Sequence, residues 1–209
     1  MADSMLLSSL VEDLKSSLGS TVAGKFTGPA DADLKRLLGI AVAQMEWKRP
    51  ITQLGSVQLH PLQARYAVPQ PDFAALKTHL WAAPGATPWP WDDCYPGAVP
   101  RVAAQWNGAT WWLEFSPAPT PRQLAVWGGE FRFWYFARHR LGEGAGETTV
   151  APADRGLLIL RAQAEAMREL AMRNVGTTTQ MRDGFSGTPR NGTPAALFQV
   201  LLDEFNGAR

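Results

Sequence analysis

The sequence predicts an α+β protein: a small antiparallel β-sandwich or barrel-like sheet packed with an N-terminal helical pair, a long C-terminal helix and a short terminal helix. Three observations predict it. Apolar residues recur at helical spacing near both ends of the 209-residue chain and alternate at the strand period in its middle. Asn107-Gly108 stands between two alternating runs, a strong hairpin signal. Eight of the nine tryptophans fall between Trp81 and Trp134, so the middle is an aromatic core or a surface that meets something.

The first helix begins near Ser4 and carries Met5, Leu6, Leu10 and Leu14 on one face until Gly19. After a Gly/Ser/Thr stretch, Asp31 is the N-cap of a second helix bearing Leu34, Leu37, Leu38, Ala41 and Met45, which Pro50 ends. Then the period changes. Leu54, Val57 and Leu59, followed by Ala64, Tyr66 and Val68, predict two short strands turning near His60-Pro61. Phe73, Leu76 and Leu80 share a face at helical spacing, which predicts a short helix between Pro71 and Trp81. The Pro84 to Pro100 stretch, with Trp89, Trp91, Cys94 and Tyr95, is too long and aromatic for a plain linker.

Arg101–Trp106 and Thr110–Phe115 form the arms of the hairpin, and Gln123–Trp127 and Glu130–His139 read as further strands around Gly128-Gly129. In the last, Phe131, Phe133, Tyr135 and Ala137 point one way and Arg132, Trp134, Phe136 and Arg138 the other. Both faces are largely apolar, which predicts a strand central to a sandwich or covered by a helix. Pro152 and Asp154 open the longest helix, with a stripe of Leu157, Leu160, Ala164, Met167, Ala171 and Val175. Arg161, Glu165, Arg168, Glu169 and Arg173 occupy its solvated face. Gly176 to Thr193 has three consecutive threonines, four glycines and no apolar period, and is expected to be flexible. Thr193 then caps a terminal helix carrying Leu197, Phe198, Leu201, Leu202 and Phe205, an apolar surface that must dock somewhere. The expected division is residues 1–175 as one domain and 176–209 as a flexible loop with a docking helix.

Composition narrows function. The formal charge is +1, from 20 basic and 19 acidic residues, so net balance does not advertise DNA binding. The single cysteine excludes an intrachain disulfide or a CxxC metal site. No run of eighteen or more apolar residues predicts a membrane span, and the acid at Asp3 and the break at Ser8 argue against a secretion signal, so synthesis in the cytoplasm is expected.

No catalytic set is expected. Cys94, His139 and Asp154 supply thiol, base and acid, but Trp91-Asp92-Asp93-Cys94-Tyr95 resembles no nucleophile motif and its acids disfavour a thiolate. His60, His79 and His139 lack metal-ligand spacing, Asp92-Asp93 reads as a solvated turn, and the glycines at 142, 144 and 146 are turn residues. No metal or cofactor is therefore expected.

The order of elements resembles the head-to-tail adaptor (connector or neck) proteins of tailed bacteriophages. The matching pieces are the N-terminal helical pair, a strand ending in Tyr66-Ala67-Val68-Pro69, and a strand running into Phe115-Ser116-Pro117-Ala118-Pro119. The strand with Tyr135 and its basic exit Arg138-His139-Arg140 follows, then Thr148-Thr149-Val150-Ala151-Pro152-Ala153-Asp154 entering the Ala-rich helix from Leu157 to Val175. They span about residues 5 to 175, and the Trp density and the Pro84–Pro100 loop depart from the pattern. The resemblance implies a virion protein at the head-tail junction, forming a ring of about a dozen copies. That ring would bind the portal protein and link it to a downstream stopper or tail protein around the DNA channel. It also implies portal docking by the C-terminal segment, here Leu197, Phe198, Leu201, Leu202 and Phe205. In a ring, Arg182 and Arg190 would repeat around the lumen, where their fields add near packaged DNA. The competing reading is a carbohydrate-binding β-sandwich with Trp89, Trp91, Trp111 or Trp112 as a stacking platform, which leaves the long C-terminal helix unexplained.

Overall fold

The computed structural model describes residues 5–82, 88–144, 146–174 and 193–208. The chain divides into two compact units, one from Met1–Arg49 with His139–Arg209 and one from Pro50–Arg138. The terminal helix belongs to the same unit as the N-terminal pair.

In the helical unit, α1 (Leu7–Ala23) and α2 (Ala32–Lys48) precede α4 (Arg155–Arg173) and α5 (Pro194–Gly207). The helix expected from Ser4 starts at Leu7 because its open N–H groups find partners there. Leu7 N donates to Gly142 O at 2.9 Å and Ser8 N to the Glu143 carboxylate at 3.1 Å. Gly19, at φ 72°, kinks α1 without ending it. Asp31 stands at the N-cap of α2 but does not cap it: its side chain accepts from Lys15 Nζ at 2.9 Å. The predicted stripe of α2 is buried, and α4 packs against α1, α2 and α5 around Leu10, Leu14, Leu34, Leu38, Leu158 and Ala162.

Two predicted solvated residues of α4 lie inside this packing. Arg161 is 7% exposed and Glu165 2%. Arg161 Nη2 donates to Glu165 Oε1 at 2.6 Å, Arg168 Nε meets Glu165 Oε2 at 2.9 Å, and the Arg161 guanidinium lies 5.7 Å from the Phe205 ring. The cause is α5, which folds back over the α4 face that the sequence leaves to solvent. Val175 lies outside the described residues.

The second unit is a sandwich of two three-stranded antiparallel sheets, neither closed into a barrel. One has the order β1-β6-β3, with β1 at Ile51–Gln58, β3 at Phe73–His79 and β6 at Glu130–Ala137. The other is β2-β5-β4, with β2 at Arg65–Ala67, β4 at Arg101–Trp106 and β5 at Trp111–Ser116. The β4–β5 hairpin turns where expected, and Asn107 Oδ1 accepts from Ala109 N and Thr110 N. β6 is central, and of its two faces the one bearing Phe131, Phe133, Tyr135 and Ala137 is buried. The strands expected to turn on each other near His60 do not pair: β1 joins β6 and β2 joins β5. The Phe133 ring crosses over Gly55, where an added Cβ would sit 2.8 Å from Cζ.

Two elements differ from expectation. Phe73 to His79 is a strand, not a helix. Two register shifts against β6 stretch its inward period from two residues to three, so that Phe73, Leu76 and His79 point inward at helix-like spacing. Pro121–Trp127 is the short helix α3, not a strand. Its capping box, Thr120 side chain to Gln123 N with Gln123 side chain to Thr120 N, outweighs the apolar alternation.

Candidate functional site

Of the residues that could make a thiol site, His139 and Asp154 have structural partners. Cys94 is exposed in the sandwich, while His139 and Asp154 belong to the helical unit. His139 Nε2 lies 2.7 Å from Arg49 O and its Nδ1 3.3 Å from Thr149 Oγ1, so both ring nitrogens are engaged. Asp154 accepts from Arg49 Nε at 3.0 Å. The two side chains thus anchor the end of α2 to the chain that returns from the sandwich. Asp92 Oδ2 accepts from Trp89 N at 2.8 Å, a turn contact, and no group of three or more His, Cys, Asp or Glu gathers as metal ligands among the described residues. No described helix is long and apolar enough to cross a membrane.

The helical unit carries an open cleft of about 1010 Å³ lined by Asp13, Ser17, Arg49, Asp154, Arg155 and Gln163 among others. Within it Arg49 pairs with Asp154 and Arg155 with Asp13.

The α5 residues divide by availability. Phe205 is buried beneath Arg161 and Lys48, and Phe198 and Leu201 pack on the core of their own unit. Phe205 is therefore not a free docking residue in this state. Leu197 is 37% exposed and Leu202 half-buried, and the neighbouring Val200 is 60% exposed. Arg182 and Arg190 lie outside the described residues.

The tryptophans are both core and surface. Trp81 is buried, donates its indole N–H to Gly128 O at 2.9 Å and meets Trp127 edge to face at 5.1 Å. Trp89 and Trp91 are exposed and stack on each other, 5.1 Å apart and 4° from parallel. Each thereby spends one face on the other. Trp106 is exposed and tilts over Trp111, and together with Pro69, Pro71, Phe73 and Arg138 they line a groove of about 310 Å³. Trp47, on α2, is 88% exposed. Of the four tryptophans named for a sugar platform, Trp111 and Trp112 are half-buried neighbours on one strand, so they point to opposite faces of their sheet.

Sequence reasoning missed the buried Arg161–Glu165 pair, although its i, i+4 spacing was a signal. It also missed Trp47 and Trp106 as surface residues, which no local pattern marks.

No protein-family model and no curated protein matches the chain. Among solved structures it is similar to a chain described as "Neck of empty GTA particle computed with C6 symmetry". The match has 19% identity over 93% of this chain and 87% of that one, with a TM-score of 0.29, values that do not establish a shared fold.

Proposed function

We propose that the protein is a structural virion protein at the head-tail junction of a tailed phage, a ring-forming adaptor that binds the portal and carries the next neck or tail component. The observation that carries this reading is the order of elements. Helices from both chain ends build one unit, the sandwich is inserted between α2 and α4, and the quoted adaptor-like motifs fall at the element junctions. Val68-Pro69 leaves β2, Ser116-Pro117 leaves β5, Arg138-His139-Arg140 leaves β6, and Val150 to Asp154 enters α4.

In this reading no chemical step is catalysed, and the exposed aromatics and α5 are contact surface. Portal docking by α5 falls to its free side, Leu197, Val200 and Leu202, unless assembly lifts Phe205 off α4. The test is to mix the purified full chain with the portal protein of the same particle and measure mass and symmetry by native mass spectrometry and electron microscopy. A ring of this chain on the portal is expected, and Leu197→Asp with Val200→Asp weakens it. Failure to bind the portal, with binding of a glycan that quenches Trp fluorescence, would establish the carbohydrate reading instead.

A further inference from the structure

The four edge strands of the sandwich are protected unequally. An unpaired edge offers main-chain N–H and C=O groups to any passing strand, and proteins guard such edges with brevity, charge or bulges. β2 is only three residues long and carries Arg65. β3 has two register shifts and Lys77. β1 has none of these devices: eight residues in unbroken register with β6, no charge, no proline, and a half-exposed Leu54 near its centre. β4 is similar, with six residues in unbroken register with β5 and no charge after Arg101. Among the described residues, no main-chain hydrogen bond reaches the outer edge of either.

The placement of these two edges matters. β3 contacts β4 where the two sheets meet, and β1 lies across β6 from β3. The unguarded edges therefore stand on opposite sides of the sandwich. A contact between unlike edges of two copies is head-to-tail, and such contacts propagate into a ring when the rotation closes.

We propose that β1 of one copy pairs with β4 of the next copy, a strand-to-strand contact that joins the sandwiches in series. Beyond Arg101 neither strand has a charged side chain of its own, and pairing covers Leu54. Closure into a ring rests on the adaptor reading; the pairing of the two edges does not.

Two substitutions at exposed positions test it: Leu54→Lys blocks β1 and Ala103→Lys blocks β4. The full-length protein is expected to self-associate at concentrations up to about 1 mM, with amides of residues 53–58 and 102–106 exchanging at least about tenfold more slowly in the assembled fraction. Each variant alone is expected to be monomeric. Mixed together they form heterodimers and nothing larger, because one intact β1 meets one intact β4. Those heterodimers also prove that both variants fold. A wild-type chain that stays monomeric over this range overturns the proposal. So does an Ala103→Lys protein that assembles like wild type, or a mixture that gives no heterodimer. Rings on the portal that survive both substitutions would sink the edge pairing and leave the adaptor reading standing. Edge-paired chains that ignore the portal would do the reverse.

Discussion

In the helical unit the fully buried side chains are aliphatic, Leu10, Leu14, Leu34, Leu37, Leu38 and Met45. In the sandwich they are mainly aromatic, Phe73, Phe115, Phe131, Phe133 and Tyr135. The aliphatic core is assembled from four helix stripes, each contributing small increments of buried area. The aromatic core is a chain of ring contacts: Phe131 alone meets Phe115 at 4.9 Å, Phe133 at 5.8 Å, Trp81 at 6.2 Å and the His79 ring at 5.2 Å. Rings that share edges and faces depend on one another, so the sandwich concentrates its stability at a few positions while the helical unit spreads it.

That contrast breaks most sharply at Phe131. Phe131→Ala is expected to cost about 4 kcal/mol, against about 3 kcal/mol for Leu38→Ala, measured by urea unfolding. Because eight of the nine tryptophans lie between positions 81 and 134, fluorescence follows the sandwich and far-ultraviolet dichroism follows mainly the helices. The Phe131 variant should shift the fluorescence transition more than the dichroism transition. Equal shifts would mean that the two units unfold together and that the contrast is one of composition only.

The helical unit has its own concentrated point in the buried Arg161–Glu165 pair, which the exposed Arg168 also meets and where Nε and Nη1 of Arg161 have no hydrogen-bond partner. Removing Glu165 leaves a buried guanidinium uncompensated, and Glu165→Ala is expected to destabilise by about 3 kcal/mol. Replacing the pair with apolar side chains, Arg161→Met with Glu165→Leu, should recover most of that loss, since the pair was costly to bury in the first place. A Glu165→Ala protein within about 0.5 kcal/mol of wild type would mean that water reaches the cluster and α5 is not closed over it in solution.

The same contrast decides what could be read from the sequence. A helix stripe repeats over many turns, so α1, α2, α4 and α5 were all legible, and burial confirms the α2 stripe residue by residue. What failed there was tertiary: Arg161 and Glu165 are buried because α5 returns from a distance in sequence. Sandwich elements are short, and one local device can override the period. The bulges of β3 imitate a helix, and α3 is only seven residues long, with a capping box that deserved more weight than the alternation of Leu124 and Val126. Of the candidate site, the apolar surface of α5 was legible, but its partner within the chain was not. The same logic makes α3 sensitive at its cap. Thr120→Ala is expected to cost about 1 kcal/mol and to raise amide exchange across residues 121–127. Thr120→Ser should retain the cap, and equal loss in both would assign the effect to packing.

The smallest expected effect is one of pH, and it separates the units again because it belongs to the sandwich. Burial holds the His79 imidazole below its ordinary value of 6.5, outweighing the opposing main-chain hydrogen bond at Trp81. Its ring lies 5.2 Å from that of Phe131, with Nδ1 buried and unpartnered. Below pH 6.5 the unfolded chain therefore binds a proton at this position that the folded chain resists. The contribution to stability is complete above that pH and is lost as pH falls toward the folded value. His79→Gln should flatten this part of the fluorescence-detected stability profile between about pH 7 and pH 5, with no change in the part reported by the helices. A profile whose slope survives His79→Gln would place the titrating group elsewhere, and would show that the aromatic core tolerates a charged imidazole at its margin.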